Sequence, residues 1–282
     1  MSDRCSLEAP LGIFDSGPGG LAVLREVRRL LPDEDILYLG DTAHLPYELR
    51  PREEVAQFTI NITRFLAAQG VKTVIIACNT ASVSGLDAAR KAVPECPVFG
   101  MIEPGVRAAL AASAGRRFGV MGSIITINSR AYDSMIAEQR PGARTLGVAT
   151  PELFRYVEKG RLEDRATLKR LIEMYNQPIA EFGADALILG CTDLTCVRDL
   201  IAEVAGPRVL VVDPAEEVVR ELRAFLDTRG QLRHSHAGGP EYRFFVTGSD
   251  VEDFAAYTAR FVGLISPDVT HVSVETVHGT TV

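Results

Sequence analysis

A chain of 282 residues with 46% apolar side chains can bury a large core, and its length fits two domains of ordinary size better than one. Its formal net charge of −7 and isoelectric point near 5.4 argue against a protein that reads nucleic-acid backbones. No apolar run approaches the roughly 20 residues that span a bilayer, and the first residues include an acidic side chain and no apolar segment, so they predict neither a membrane anchor nor a secretory signal.

Short apolar runs alternate with helical patterns through the first hundred residues. This alternation predicts α/β architecture with parallel sheets covered on both faces. The predicted elements are a strand at 11–14, a glycine turn at 15–20, a helix over 21–31, a strand at 36–39, a helix from 51 to Gly70, a strand at 74–77, a helix near 84–92 and a strand near 98.

The same pattern begins again at Phe118, and its turn and its cysteine are spaced much as in the first half, which suggests an ancient duplication. The predicted elements are a strand at 118–121, a glycine turn with a following helix, a strand near 145–148, a helix over 168–182 and strands at 186–189 and 209–212. Asp213 precedes Pro214 and is predicted to cap a helix rather than to catalyse.

Two segments near the C-terminus carry little functional signal. Residues 230–240 are predicted to form a solvated loop, and the pair His234 and His236 is not predicted to bind a metal, because no cysteine or carboxylate cluster lies nearby. Residues 268–282 are predicted to form an extra edge strand or to be disordered.

Two of the five cysteines occupy matching positions. Cys78 and Cys191 each end a short buried strand, at the strand end where ligands bind in α/β sheets, and helix starts there favour the reactive thiolate. Cys5, Cys96 and Cys196 are predicted to be structural. An odd number of cysteines in a chain that needs no disulfides favours a reduced, cytoplasmic setting. Two thiols on opposite faces of one carbon suit stereoinversion without a cofactor, whereas hydrolysis would usually require a histidine beside a cysteine.

The glycine turn after the first strand allows two interpretations. Gly17, Gly19 and Ala22 satisfy the dinucleotide-binding pattern, and Asp41 follows the next strand, where a ribose-binding acid would stand. Against this, Asp15 would place a carboxylate near the pyrophosphate. In the alternative, Asp15 and Ser16 hold a substrate ammonium group and assist a cysteine.

These motifs together resemble the glutamate racemases of the aspartate/glutamate racemase superfamily. The segments that carry the resemblance are Phe14 to Leu21, Asp41 to Tyr47, Ala77 to Ser82, Ile102 to Gly105 and Leu189 to Thr192, and Phe245 to Gly263 resembles the closing helix of that family. The resemblance implies two similar doubly wound parallel-sheet domains with the active site in the cleft between them. We assign residues 1–100 with 211–282 to the first domain and residues 101–210 to the second.

The resemblance also implies interconversion of L- and D-glutamate for peptidoglycan, with no cofactor and no metal. It assigns proton removal from the L-isomer to Cys191 and from the D-isomer to Cys78, with Asp15 assisting Cys78. The substrate-binding residues expected on this basis are Asp15, Ser16, Tyr47, Glu48, Asn79, Thr80, Thr192 and Asp193. The expected partner is a small amino acid, with no nucleic acid and no membrane, and a homodimer is one option for the oligomeric state.

Two residues depart from the family pattern. Glu48 stands where the family usually has glycine, and Asp193 stands where it usually has histidine. An ionised Asp193 would be a weaker base and would tend to raise the pKa of the Cys191 thiol. These departures leave two alternatives open: another substrate such as aspartate or a related carboxylic acid, and a weakened homologue with a binding or regulatory role. The glycine turn leaves a further alternative, a dinucleotide-dependent oxidoreductase.

Overall fold

The computed structural model describes residues 6–236, 238–265 and 267–274, and the chain divides into two compact units. One unit is Met1–Phe99 with Val219–Val282, and the other is Gly100–Val218. Each unit contains a sheet in which every pairing is parallel. The predicted class of α/β units with parallel sheets is therefore confirmed.

Ten strands and twelve α-helices are assigned in the described residues. The strands are β1 (Leu11–Asp15), β2 (Ile36–Gly40), β3 (Thr73–Ile76), β4 (Val98–Phe99), β5 (Arg117–Gly122), β6 (Arg144–Ala149), β7 (Ala186–Gly190), β8 (Leu210–Val212), β9 (Tyr242–Val246) and β10 (Val269–His271). The helices are α1 (Leu21–Leu30), α2 (Arg52–Ala68), α3 (Asn79–Ala92), α4 (Ile102–Ala112), α5 (Ile124–Ser129), α6 (Ala131–Gln139), α7 (Pro151–Glu158), α8 (Arg165–Phe182), α9 (Thr192–Thr195), α10 (Arg198–Ala205), α11 (Pro214–Thr228) and α12 (Val251–Thr258).

The sheet of the first unit has the strand order β10-β9-β2-β1-β3-β4. The chain moves from β1 to β2 on one side and then crosses back to β3 on the other side of β1. Because parallel crossovers are right-handed, α1 and α2 cover opposite faces of this sheet. β1 is thus a central strand at the point where the strand order reverses, which is where open α/β sheets bind their ligands.

The sheet of the second unit has the order β6-β5-β7-β8. All five residues of β7 are buried, and the apolar side chains of α8 and α10 pack with it in one core cluster. Here too the chain goes from β5 to β6 on one side and returns to β7 on the other. Cys191, directly after β7, therefore stands beside a reversal of strand order, as β1 does in the first unit.

The first unit's core explains why its strands are apolar throughout. The β1, β2 and β3 side chains are buried along their whole length, and α2 packs Val55, Ile62 and Leu66 against them. Burial of each such side chain contributes about 1.5–3 kcal/mol. This packing fixes the carboxyl ends of the three central strands, which carry the polar residues of interest.

Several sequence predictions need correction. The helix expected near residues 84–92 begins at Asn79, directly after Cys78. The strand β9 was not predicted, because its segment was assigned in part to the closing helix, which in fact begins at Val251. The helix that follows Cys191, α9, is a single turn from Thr192 to Thr195.

The C-terminal predictions have a mixed outcome. Residues 269–271 form the edge strand β10, parallel to β9, as expected for the start of the last segment. Residues 275–282 and Cys5 lie outside the described residues. In the 230–240 loop, His236 Nε2 lies 3.1 Å from a carboxylate oxygen of Asp35.

Candidate active site

Polar residues follow the three central strands of the first unit. Asp15 is the last residue of β1, Asp41 comes directly after β2, and Cys78 comes two residues after β3. Because β2, β1 and β3 are neighbours and parallel, these three residues meet at one edge of the sheet. The turn after β1 adds Ser16, which is half-buried, to the same edge.

The glycine turn after β1 wraps around the Asp15 carboxylate. The amide of Gly20 donates to Asp15 Oδ2 at 2.9 Å, and the amide of Gly17 donates to the same oxygen at 3.4 Å. A Cβ atom at position 20 would lie 2.5 Å from the Cβ of Asp15 and 2.7 Å from the hydroxyl of Tyr38. Glycine is therefore required at position 20 because no space remains beside Asp15.

This arrangement argues against a dinucleotide site. A pyrophosphate would need the backbone amides of the turn, and the amides of Gly17 and Gly20 already bind the Asp15 carboxylate. Asp41, the expected ribose ligand, is buried and accepts hydrogen bonds from other side chains. The turn is thus built to hold a carboxylate of the protein itself.

Cys78 lies against Asp15 and caps the helix that follows it. Its sulfur accepts a hydrogen bond from the amide of Ala81 at 3.5 Å, and it lies 3.8 Å from the hydroxyl oxygen of Ser16. The thiol also donates to the Asp15 carboxylate. Asn79 and Thr80, the first two residues of α3, are buried beside it.

Burial governs the titration of both groups. It raises the pKa of Asp15 from 3.8 to about 6, although hydrogen bonds from the turn amides and from Cys78 act in the opposite direction. Burial and, next, the charge of Asp15 raise the pKa of the Cys78 thiol to about 12. The helix start does lower this pKa through the Ala81 amide, but the net direction is opposite to the thiolate-favouring effect expected from sequence. Cys78 is therefore a thiol in the resting protein.

A second buried carboxylate, Asp41, organises the next part of this edge. Its oxygens accept hydrogen bonds from the hydroxyls of Tyr47 at 2.5 Å and Thr247 at 2.6 Å. The Nδ1 atom of His44 lies 2.8 Å from the same carboxylate. Burial and then the Asp41 charge raise the pKa of Tyr47 well above its usual value, so Tyr47 is a neutral donor. The 3-10 turn Tyr47–Leu49 also carries Glu48, which is half-buried.

In the second unit, Cys191 is paired with an aspartate. Cys191 follows β7 directly, and its thiol donates to Asp193 Oδ2 at 3.5 Å. Thr192 and Asp193, which begin the single-turn helix α9, are both buried. Each unit thus places one thiol next to one carboxylate at the end of a central parallel strand.

Tyr132 is a neighbour of Cys191 that the sequence analysis missed. The Tyr132 ring is buried and lies close to two glycines. A Cβ atom added at Gly105 would lie 3.2 Å from the Tyr132 hydroxyl, and one added at Gly190 would lie 3.4 Å from the edge of the ring. Burial, and then the charges of Asp213 and Cys191, raise the pKa of Tyr132. The sequence signal for this contact is Gly105, because a glycine in a motif often marks a place where another group packs against the backbone.

The remaining predicted groups have structural places. Asp213 accepts a hydrogen bond from the amide of Ala215 at 3.0 Å at the start of α11, which confirms its role as a helix cap. Cys96 and Cys196 belong to the core clusters, and none of the four described cysteines forms a disulfide. Within the described ranges, no group of three or more potential metal ligands is found, and none of the helices there is long and apolar enough to cross a membrane.

Comparison with known proteins agrees with the sequence motifs. The family model for Asp/Glu/Hydantoin racemase matches residues 18–222. The glutamate racemase of Parafrankia sp. is 40% identical over 266 residues, which are 94% of this chain and 94% of that protein. The glutamate racemase of Mycobacterium ulcerans is 42% identical over 255 residues, covering 90% of this chain and 93% of that protein.

Solved structures show the same likeness in three dimensions. Glutamate racemase isoform RacE1 from Bacillus anthracis matches with a TM-score of 0.88 and 35% identity, over 94% of this chain and 97% of that one. Glutamate racemase from Francisella tularensis in complex with D-glutamate matches with a TM-score of 0.86 and 29% identity, over 95% of this chain and 99% of that one. The chain, with its two thiol–carboxylate pairs at the ends of parallel strands, therefore belongs to the Asp/Glu/Hydantoin racemase family.

Proposed function

We propose that this protein is a cofactor-independent glutamate racemase in which Cys78 and Cys191 exchange protons with opposite faces of the substrate α-carbon. The observation that carries the proposal is the pairing of each thiol with a carboxylate, Cys78 with Asp15 and Cys191 with Asp193. The relatives named above are glutamate racemases, and one was solved with D-glutamate, which supports glutamate as the substrate.

The reaction needs one base and one acid at the same time. In the direction from L- to D-glutamate, the Cys191 thiol gives its proton to Asp193, and the resulting thiolate removes the α-proton. Cys78, whose raised pKa keeps it protonated, then donates its proton to the opposite face of the carbanion. In the reverse direction, Asp15 accepts the Cys78 proton and the two thiols exchange roles.

The buried polar residues around each thiol supply the contacts for the substrate. Ser16, Asn79 and Thr80 lie beside Cys78, and Thr192 lies beside Cys191. The Tyr47 hydroxyl is committed to Asp41, so we expect Tyr47 to contact substrate through other atoms. Fixed donors in a site that excludes water stabilise the charge that develops on the carbanion.

Asp193 also bears on the alternatives. It occupies the position for which the family usually has histidine, and its carboxylate accepts a hydrogen bond from the Cys191 thiol. This contact favours an active enzyme over a weakened binding homologue. Glu48 and Asp193 depart from the residues usual in the family, so a related substrate such as aspartate is the second candidate. Chiral separation after incubation with a panel of amino acids distinguishes the two, since turnover confined to glutamate excludes the second.

The central test is incubation with L-glutamate in deuterium oxide, with chirality and label at the α-carbon followed together. The wild-type protein should racemise glutamate and incorporate deuterium, and Cys78→Ala and Cys191→Ala should each abolish racemisation. Cys96→Ala is the matched control, because Cys96 and Cys78 are equally buried at 6% exposure, and the Cys96 thiol donates to the backbone carbonyl of Val71 in the core. Racemisation retained in both single variants of the active pair would contradict the mechanism.

In the cell, we place the enzyme in the cytoplasm, where both thiols stay reduced, and we assign its product D-glutamate to peptidoglycan synthesis. Expression of this chain should let a D-glutamate-requiring bacterium grow without added D-glutamate. Growth with the wild-type chain but not with the Cys78→Ala variant would support the assignment, and equal growth with both would contradict it.

A further inference from the structure

The first unit contains a cavity that is separate from the thiol–carboxylate pair. Its volume is about 320 Å³, and it lies between α2, the segment after β2 and the segment that follows β10. A cavity of this size falls within the range of about 300–1,000 Å³ typical of small-molecule sites. None of the residues that line it is among those proposed to contact glutamate.

Charge is distributed unevenly in this cavity. Although the whole chain has a formal net charge of −7, the nine residues that line the cavity include no aspartate and no glutamate. The two that can become charged are His44 and His271, and histidine is the side chain that gains positive charge near neutral pH. A ligand in the cavity would thus meet no carboxylate in the wall itself, and the Asp41 carboxylate behind the wall is bound by His44 and Thr247.

Both histidines are held in defined orientations. The Nδ1 atom of His44 faces the Asp41 carboxylate at 2.8 Å, and the Nε2 atom of His271 donates to the carbonyl of Thr247 at 3.1 Å. Among the described residues, these contacts leave Nε2 of His44 and Nδ1 of His271 for a ligand, and each of these nitrogens donates to an anion when its ring is protonated. The His44 ring also stacks on Phe58, with the ring centroids 3.9 Å apart, which restricts its rotation further.

The rest of the wall combines apolar and hydrogen-bonding groups. Phe58, Val272 and Val274 provide apolar surface, whereas Asn61 and Ser273 provide an amide and a hydroxyl. A wall that combines apolar surface with polar groups in fixed positions suits a small organic molecule. We propose that this cavity is a second binding site, for a small organic anion that carries an aromatic or branched apolar group.

The test uses benzoate as the probe and benzamidine, which has the same ring and the opposite charge, as its control. The ring signals of His44 and His271 are followed by NMR in the full-length protein and assigned with His44→Gln and His271→Gln. We expect benzoate to shift both signals with half-saturation at or below about 1 mM. Benzamidine at about 10 mM should shift neither, and saturating L-glutamate should not displace benzoate.

Two variants place a negative charge in the wall. Asn61→Asp is nearly isosteric and keeps the hydrogen bond that Asn61 Oδ1 accepts from Gln57 at 2.8 Å, and Ser273→Glu changes an exposed side chain. Each should weaken benzoate binding at least about tenfold through charge repulsion. The matched control is Thr270→Glu, at a position that is also exposed and that does not line the cavity. This variant should bind benzoate as the wild type does.

Three results would overturn the proposal. These are the absence of a saturable shift at His44 and His271 up to about 10 mM benzoate, equal shifts with benzamidine, and unchanged binding in both Asn61→Asp and Ser273→Glu. Displacement of benzoate by glutamate would show that the probe occupies the catalytic site instead. Because the assay reads binding directly, its outcome does not depend on whether the protein is a racemase.

Discussion

The buried carboxyl group of Asp15 should make the protein less stable at neutral pH, and its removal should stabilise the fold while abolishing catalysis. The pKa of Asp15 is raised from 3.8 to about 6 in the folded protein, mainly by burial. The folded state therefore holds this proton more tightly than the unfolded state does. Stability that the proton supplies is fully present below pH 3.8 and is lost as the pH rises through about 6.

The size of the effect follows from the two pKa values. The difference between 3.8 and about 6 corresponds to about 3 kcal/mol at most, since one pKa unit equals about 1.4 kcal/mol. The side-chain amide that Asp15→Asn introduces keeps an oxygen that can accept the hydrogen bond from the Gly20 amide, but it carries no charge. We therefore expect the variant to match the wild type near pH 4 and to exceed it by up to about 3 kcal/mol near pH 7.5.

The assay is urea-induced unfolding of both proteins at several pH values without glutamate. Asp35→Asn is the control, because it should change the free energy of unfolding in the opposite direction. Burial raises the pKa of Asp35, but hydrogen bonds from the Glu241 amide and from Arg233 outweigh it, so the pKa is lowered overall. Asp35→Asn should thus lose stability at neutral pH and recover toward the wild type in acid. A stability difference for Asp15→Asn that is the same at pH 4 and pH 7.5 would refute the reasoning.

Three further predictions concern other contacts. Asp193→Asn removes the acceptor of the Cys191 hydrogen bond and should lower kcat/KM by about 10²-fold or more in both directions, as measured by circular dichroism. An unchanged kcat/KM would contradict this role. Gly20→Ala should lower the free energy of unfolding by about 1–3 kcal/mol, because the added Cβ would overlap two side chains. Thermal unfolding measures this loss, and an unchanged melting temperature would disprove the close packing. Lys72→Met leaves Glu34 buried without the ion-pair partner that lies 2.6 Å away, and it should lower the free energy of unfolding by about 3–5 kcal/mol. The double variant Lys72→Met with Glu34→Met should recover much of that free energy in chemical unfolding. An equal loss in the single and double variants would contradict the pairing.

The sequence predicted the central strands well because every residue in them is apolar or small. A strand that is buried on both faces of a parallel sheet has this continuous apolar pattern. It misplaced the start of α3 because that helix begins with small polar residues and is capped by a thiol instead of a usual capping side chain. Tertiary packing holds this end in place: Gly85 of α3 lies so close to Thr59 of α2 that a Cβ would approach it to 2.7 Å. No pattern within the helix itself contains that contact.

The strand β9 shows a second limit. Of its five residues only Phe244 and Val246 are buried, and its partner β2 lies about two hundred residues earlier in the chain. The candidate site likewise depends on contacts between residues that are far apart in the chain. Motifs identified the thiols and Asp15, yet the direction of the Cys78 pKa depends on burial, and the Asp41 cluster includes Thr247, which joins it only in the folded chain.

The late partner of β2 has a consequence for how the protein is made. On the ribosome, residues 100–218 can complete their own sheet while β2 still has an open edge, because β9 follows that whole segment in the chain. An open strand edge is a template for pairing with other chains. We therefore expect the newly synthesised first unit to be the part that aggregates when translation stalls near residue 230, and a chaperone that shields exposed edges to raise the yield of the full chain.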